Sequence, residues 1–208
     1  MIQRNCGLCF ALAVVELIPV SSQPKRNTFI IGNNLCKYKN VALPPAIKIS
    51  SFADLTLSGH VFLIAEIGKN FIETEEERPV KEYLENAKAL AKAAKVAGAD
   101  AVKFQTHTVG DEQLKVDVVS PHFKGADRFS WVTRNTKATP PNSFWKPLKT
   151  YCDEIGIMFF STPMSRGAAK LLAKVGVDLW KVGSGDILDF VMLDYLAATK
   201  KPIIISSG

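Results

Sequence analysis

Polar and charged side chains stand at the ends of five short apolar runs of this chain. The runs are VFLIAEIGKN (Val61 to Asn70), AVKFQTH (Ala101 to His107), GIMFFSTP (Gly156 to Pro163), LWKVGSGD (Leu179 to Asp186) and PIIISSG (Pro202 to Gly208). In a parallel β/α barrel the catalytic groups sit at the carboxyl ends of the strands. We therefore expect one mouth that suits an anionic, phosphorylated substrate, lined by a carboxylate, an amide, two lysines and several hydroxyls: Glu66, Gln105, Lys103, Lys181, Thr162, Ser184 and Ser206.

The order of strands and helices predicts an α/β fold, a partial (β/α)8 TIM barrel with about five of its eight strand–helix units present. A complete barrel takes roughly 250 residues, and this chain has 208, of which about sixty precede the first run. We expect residues 1–59 to be an N-terminal extension of uncertain structure and residues 60–208 to be the partial barrel. The missing units predict a fragment or a truncated gene product that is inactive as an enzyme on its own.

Helical periodicity and capping residues place four helices between the runs. Proline is tolerated at the start of a helix, and glycine is favoured just after its end. The predicted helices run from Pro79 to Gly98, from about Asn142 to Ile155, from Ser165 to Gly176 and from about Asp189 to Thr199. The long connection from Thr108 to Pro141 follows the second run, over the expected mouth. We favour a lid or substrate-contacting loop there, while a family-specific decoration or an oligomer contact is the alternative.

The charge distribution argues against nucleic-acid binding. The net charge is +6, but residues 1–59 hold 6 Lys/Arg against 2 Asp/Glu, so most of the excess lies before the barrel. No basic stripe with interleaved aromatic residues is present. No run is long enough for a transmembrane helix, and the apolar segment from Cys6 to Val20 resembles a signal peptide but is interrupted by Glu16. We expect a cytoplasmic protein with free, reduced cysteines.

Two lysines lie inside apolar strands, where a charge is costly unless it meets an anion. Lys103 and Gln105 are two residues apart and therefore point to the same face of their strand. Lys181 repeats this situation on a later strand. Pairing of Lys103 with Glu66 is the structural alternative, but one carboxylate for two lysines leaves positive charge that a phosphate or carboxylate ligand would balance.

Small hydroxylated residues beside glycine let backbone N–H groups approach an anion closely. Ser184 with Gly185, and Ser206 with Gly208, therefore predict a phosphate site, to which Thr162 adds a hydroxyl. Glu66 is a candidate general base.

Three further polar residues lie near the expected mouth. Asp186 either contacts a polyol hydroxyl or caps the next helix. We interpret His107 and His122 as loop or structural histidines, because neither stands in a metal-ligand pair.

The motifs IAEIGKN, VKFQTH, FFSTPMSR, WKVGSGD and KPIIISSG resemble the successive strand ends of the N-acetylneuraminate (sialic acid) synthase family. The resemblance runs from about Val61 to Gly208. It implies a TIM barrel in a homodimer. It also implies condensation of phosphoenolpyruvate with an N-acetylated hexosamine of the ManNAc type, with release of phosphate. A divalent metal, Mn²⁺ or Mg²⁺, would polarise the sugar aldehyde, with its ligands outside this chain.

The resemblance also implies residue roles. Glu66 would lie near the activated water or the aldehyde, and Gln105 and Asp186 would contact the sugar. The phosphoenolpyruvate contacts would be Lys103, Thr162, Lys181, Ser184 and Ser206.

Two departures leave the acceptor open. Phe71 stands where the family commonly has the histidine of EIGxNHxG, and an ETEEERP insert follows. A synthase for legionaminic or pseudaminic acid, and a non-catalytic barrel remnant that acts as a binding subunit, are the alternatives.

Overall fold

The computed structural model describes residues 13–16, 29–31, 34–36, 62–73, 76–116 and 127–207. Its strands are β1 (Ala13–Glu16), β2 (Phe29–Ile31), β3 (Asn34–Cys36), β4 (Leu63–Gly68), β5 (Ala101–Thr106), β6 (Met158–Pro163), β7 (Trp180–Val182) and β8 (Ile203–Ile205). Its helices are α1 (Val80–Val96), α2 (Val109–Glu112), α3 (Arg128–Ala138), α4 (Lys146–Glu154), α5 (Arg166–Val175) and α6 (Phe190–Ala198).

Five parallel strands in chain order, β4 to β8, form the half-barrel that the sequence predicts, with helices between them. The sheet order is β1-β4-β5-β6-β7-β8, and every pairing in it is parallel. Strand β1 was not anticipated. It pairs with β4 and covers the edge of β4 that would otherwise expose unpaired backbone groups. Strands β2 and β3 form a separate antiparallel pair.

The two faces of the sheet have different composition. The helix-covered face holds the larger core, with a ring cluster of Phe71, Phe104, Phe144, Trp145 and Phe159. The opposite face carries a smaller apolar cluster contributed by the strands and the residues just before them: Phe62, Ile64, Ala101, Phe160 and Leu179. Side chains on one face of a strand repeat every second residue. Two positions after the apolar residues, this second face therefore carries the predicted site residues Glu66, Lys103, Thr162 and Lys181. Four positions after Ala101 it carries Gln105.

The helices confirm the capping signals of the sequence. Helix α1 follows Pro79 and buries alanines and leucine at a spacing of three and four residues. Helix α5 begins after Ser165 and ends at Gly176, whose φ of 91° lies in the left-handed region that favours glycine. Helix α6 begins after Asp189. It buries Met192 and Leu196, whereas Ala197, which the pattern predicted to face inward, is exposed.

Two connections differ from the sequence-based expectation. The predicted helix from about Asn142 is divided into a π-helical turn over Pro141–Trp145 and the helix α4. The connection expected to be a loop from Thr108 to Pro141 contains the short helix α2 and the eleven-residue helix α3. Residues 117–126, which include His122, lie outside the described residues. No helix in the described part of the chain is long and apolar enough to span a membrane.

Replacement of Ser165 by alanine should destabilise the fold by about 1–2 kcal/mol. The Ser165 hydroxyl accepts a hydrogen bond from the Ala168 backbone N–H (3.1 Å) and donates one to Asp111 of α2 (3.0 Å), so its loss removes a helix cap and a tie between two helices. Urea unfolding would measure the change, with exposed Ser143→Ala as the control. Equal stabilities of both variants would contradict this role.

Candidate active site

Lys103 is the centre of a buried polar group formed by three neighbouring strands. Its ammonium lies 2.7 Å from Glu66 Oε2 on β4 and donates a hydrogen bond of 3.1 Å to Thr162 Oγ1 on β6. The register sets Glu66 directly opposite Lys103 and Gln105 directly opposite Thr162. The side chain of Lys103 is buried, and this pairing supplies the anion that a buried lysine requires.

Lys181 lies on the same face but has neutral partners. Its ammonium donates to Ser206 Oγ and to the backbone carbonyl of Val182, both at 2.6 Å. It is half-buried rather than fully buried, which corrects the expectation that it repeats the situation of Lys103. Partial burial lowers the pKa of Lys181, and the charge of Lys103 lowers it further, so the two ammonium groups repel each other. An anion placed between them would relieve this repulsion.

A cavity of about 390 Å³ opens beside Glu66. Its wall includes Glu66, Gly68, Lys69, Gln105 and Trp131. While Glu66 Oε2 pairs with Lys103, Glu66 Oε1 is buried without a hydrogen-bond partner among the described residues. A bound hydroxyl or water that donated to Oε1 would satisfy it, since an unpaired buried carboxylate oxygen is costly.

The segment after β7 supplies the remaining predicted residues. Ser184 and Asp186 are the first and last residues of a short 3₁₀ turn, where Ser184 is exposed and Asp186 is half-buried. Burial raises the pKa of Asp186, and the nearby carboxylate of Glu112 raises it further. The alternative role of Asp186 as a helix cap is wrong, because Asp189 caps α6 by accepting from the Met192 N–H.

The structure adds a second polar chain that the sequence analysis did not identify. Lys69, just after β4, lies with its ammonium 2.8 Å from Nε2 of His107, and Nδ1 of His107 lies 2.7 Å from Glu112. Because a carboxylate only accepts, Nδ1 carries the hydrogen and Nε2 accepts from Lys69. Burial lowers the pKa of His107, which keeps the ring neutral and agrees with this arrangement. His107 is thus a buried, hydrogen-bonded residue, in line with its structural interpretation.

Lys69 itself is strongly perturbed. Burial lowers its pKa from 10.5 to about 7. Its ammonium also lies 3.1 Å from the centroid of the Trp131 ring, which is a cation–π geometry. Only one weak signal in the sequence indicated the group of Lys69, His107 and Glu112. His107 follows the end of a strand and lies five residues before Glu112.

Phe71, which stands where the resemblance implies a histidine, belongs to the core. It is fully buried, and its ring lies 4.9 Å from that of Phe144 and 6.0 Å from that of Phe104. Phe71 therefore extends the aromatic cluster beneath the site.

The other candidate chemistry finds little support in the described residues. Among them, no group of three or more His, Cys, Asp or Glu side chains is arranged to hold a metal ion. The residues present do not fit the expected divalent metal, and we assign no step to it. Cys152 is a free thiol whose pKa burial raises to about 12, so it is unreactive. Cys6, Cys9 and Gly208 lie outside the described residues.

Comparison with known proteins agrees with the fold and with the strand-end motifs. The sequence pattern of the NeuB family matches residues 90–208, which is more than half of the chain. The chain belongs to the NeuB family. The half-barrel is therefore part of the TIM-barrel fold of this family.

Three relatives illustrate the range of the family. Mouse N-acetylneuraminate-9-phosphate synthase is 31% identical over 71% of this chain and 39% of the relative. N,N'-diacetyllegionaminic acid synthase of Legionella pneumophila is 33% identical over 71% of this chain and 39% of the relative. The crystal structure of N-acetylneuraminic acid (sialic acid) synthetase from Leptospira borgpetersenii, in complex with citrate, is 23% identical with a TM-score of 0.52. The match to that structure covers 71% of this chain and 44% of that one, and it shows the shared fold. The chain spans about two fifths of the length of these curated relatives.

The depressed pKa of Lys69 should make stability depend on pH. Between about pH 7 and about pH 10 the unfolded chain binds a proton at this lysine that the folded chain does not, so the free energy of unfolding should rise with pH over this window. Lys69→Met should abolish this contribution, while exposed Lys92→Met should retain it. Urea unfolding at several pH values tests this, and parallel pH profiles for wild type and Lys69→Met would contradict it.

Proposed function

We propose that the protein carrying this chain condenses phosphoenolpyruvate with an N-acetylated hexosamine of the ManNAc type to form a nonulosonic acid, with release of phosphate. The observation that carries the proposal is the pair of lysines on one face of the half-barrel. Lys103 forms an ion pair with Glu66, whereas Lys181 donates its hydrogen bonds to neutral groups of the described residues, and Glu66 and Asp186 act on it only electrostatically. Family membership and the strand-end motifs support the same reaction class.

The phosphoenolpyruvate would bind across the lysines. Lys103 with Thr162, and Lys181 with Ser206, would donate charge-assisted hydrogen bonds to its phosphate and carboxylate oxygens. Ser184, exposed in the turn after β7, would add a hydroxyl at the rim. These groups are positioned before the ligand arrives, so they stabilise charge that develops during the reaction without having to reorganise.

The acceptor sugar would occupy the cavity beside β4. Gln105 lines it, and Asp186, half-buried in the turn after β7, would also contact the sugar. Glu66 Oε1 would accept a hydrogen bond from the water or from a sugar hydroxyl. In the reaction, C3 of phosphoenolpyruvate attacks the aldehyde carbon of the open-chain sugar, water adds at C2, and phosphate leaves.

A related acceptor is the second candidate. The resemblance places Phe71 where the family commonly has a histidine, and an ETEEERP insert follows it. Both departures lie in the segment after β4 that lines the proposed acceptor cavity, which favours an acceptor of the legionaminic or pseudaminic acid type as the alternative. We also propose that the protein acts on small-molecule substrates, forms a homodimer and is cytoplasmic. The family resemblance supports these proposals.

Lys103→Ala and Lys181→Ala should each weaken phosphoenolpyruvate binding. Loss of one charge-assisted hydrogen bond costs about 1.5–3 kcal/mol, which corresponds to roughly 10- to 150-fold in Kd. Isothermal titration calorimetry of each folded variant would measure this, with exposed Lys92→Ala as the matched control. Unchanged affinity in both variants, with normal circular dichroism spectra, would show that the lysines are structural and would refute the proposed site.

Glu66→Gln should separate catalysis from structure. The amide keeps the shape of Glu66 but removes the negative charge, so phosphoenolpyruvate affinity should hold or improve while kcat falls sharply. The same change leaves Lys103 without its anion and should cost stability of about 3 kcal/mol. Glu85→Gln, which breaks the exposed pair with Lys88, is the control and should cost less than about 1 kcal/mol. Lost stability with a normal kcat per folded molecule would reject the catalytic role.

A further inference from the structure

A continuous line of hydrogen-bonded groups leads from the interior to the acceptor cavity. It begins at Glu112, whose side chain is almost completely buried, passes through the buried ring of His107 and ends at the ammonium of Lys69 in the cavity wall. Each link has a defined direction, because the ionised Glu112 holds the hydrogen on Nδ1 and so presents the lone pair of Nε2 to Lys69. The Trp131 ring supports the ammonium from another side.

This arrangement fixes the position of an amine that would otherwise be flexible. A lysine held only for solubility needs neither a buried histidine nor an aromatic face. Lys69 shares its cavity with Glu66 and Gln105, the residues to which we assign the water and the sugar. The hydrogen-bonded line therefore holds one N–H group of Lys69 in the cavity where the acceptor would react.

The charged groups that face Lys69 come from several elements. Burial is the largest influence and lowers its pKa, Glu112 of α2 raises it, and Arg128 and Arg134 of α3 lower it. The result of about 7 makes Lys69 an acid that is partly protonated and able to release its proton at neutral pH. Glu66 and Glu73 line the same cavity.

We propose that Lys69 is the proton donor to the carbonyl oxygen of the acceptor aldehyde, positioned by His107 and Glu112. The proposal rests on the condensation proposed above. It adds a residue that lies between the family motif residues and is supplied by this chain's own sequence.

The proton transfer balances without a further reactant. As C3 of phosphoenolpyruvate bonds to the aldehyde carbon, the π electrons of the carbonyl move to its oxygen. One N–H proton of Lys69 moves to that oxygen and gives a hydroxyl group, which leaves Lys69 as a neutral amine. The water that adds at the C2 cation releases one proton, which returns through solvent to the amine of Lys69, and His107 keeps its Nε2 lone pair toward Lys69 throughout.

The test is the kinetics of the complete protein with phosphoenolpyruvate and ManNAc, followed by phosphate release from pH 5.5 to 9. In wild type, kcat should fall as pH rises through about 7, because the donor loses its proton. Lys69→Met and Lys69→Arg should both lower kcat at least about 100-fold, since an arginine is effectively always protonated and does not release its proton. Phosphoenolpyruvate affinity should change less than twofold in both, and Lys92→Met is the control.

A second variant tests whether the hydrogen-bonded line from Glu112 through His107 controls the pKa of Lys69. Glu112→Gln removes the charge that raises the pKa of Lys69, so the fall of kcat should move to lower pH. An independent readout is the pH dependence of acylation of Lys69 by an amine reagent, measured by mass spectrometry, which should have a midpoint near 7 and should shift the same way in Glu112→Gln.

The outcomes distinguish the two proposals. Near-normal kcat in Lys69→Arg, or an acylation midpoint near that of an exposed lysine, would overturn the proton-donor role while leaving the condensation intact. A wild type that neither binds phosphoenolpyruvate nor turns over would overturn the condensation, and the role of Lys69 with it.

Discussion

The need of a buried lysine for an anion governs the arrangement of this half-barrel. Lys103 lies on the central strand of its polar group, and Glu66 on the neighbouring strand neutralises it at 2.7 Å. The energetic cost of an unpaired charge in this position favours the register in which Glu66 stands opposite Lys103, and the pairing of β4 with β5 shifts only beyond this point, between Glu66 and Gly68. With that carboxylate used, Lys181 keeps a positive charge that hydroxyl and carbonyl groups solvate and do not neutralise. The site is thereby biased toward an anionic ligand before one binds.

On the sheet face opposite the helices, each strand begins with apolar residues that stabilise the fold and ends with polar residues that could take part in chemistry. Its early positions are apolar, as at Ile64, Ala101 and Phe160, and form a packed cluster. Two residues further on, the same strands present Glu66, Lys103 and Thr162. Because side chains on one face repeat every second residue, a single strand both closes the core and extends a functional group into the mouth. This division places Glu66, Lys103 and Thr162 on paired strands of the sheet, while Lys69 and Trp131 reach the cavity from outside the strands.

The segment after β4 contributes to both the core and the cavity. Phe71 joins the aromatic core that packs against β5, while Lys69, two residues before it, turns to the cavity and to His107. Helix α3 completes this region through Trp131. The helix occupies the connection in which a lid or substrate-contacting loop was expected, and one of its residues lines the cavity beside Glu66.

The sequence by itself predicted the five strands β4 to β8 and most helix boundaries, and it proposed the residues of the polar mouth. These features depend on local signals: apolar runs with polar ends, the cap residues Ser165 and Asp189, and a glycine at the end of α5. Only the tertiary structure decided which polar groups meet. The Lys69, His107 and Glu112 line joins residues from two separate segments, one after β4 and one after β5, and β1 pairs with β4 although a long stretch of chain lies between them. Periodicity reports the face on which a side chain lies but not the neighbour opposite it, because strand register and helix placement are set by packing over the whole fold.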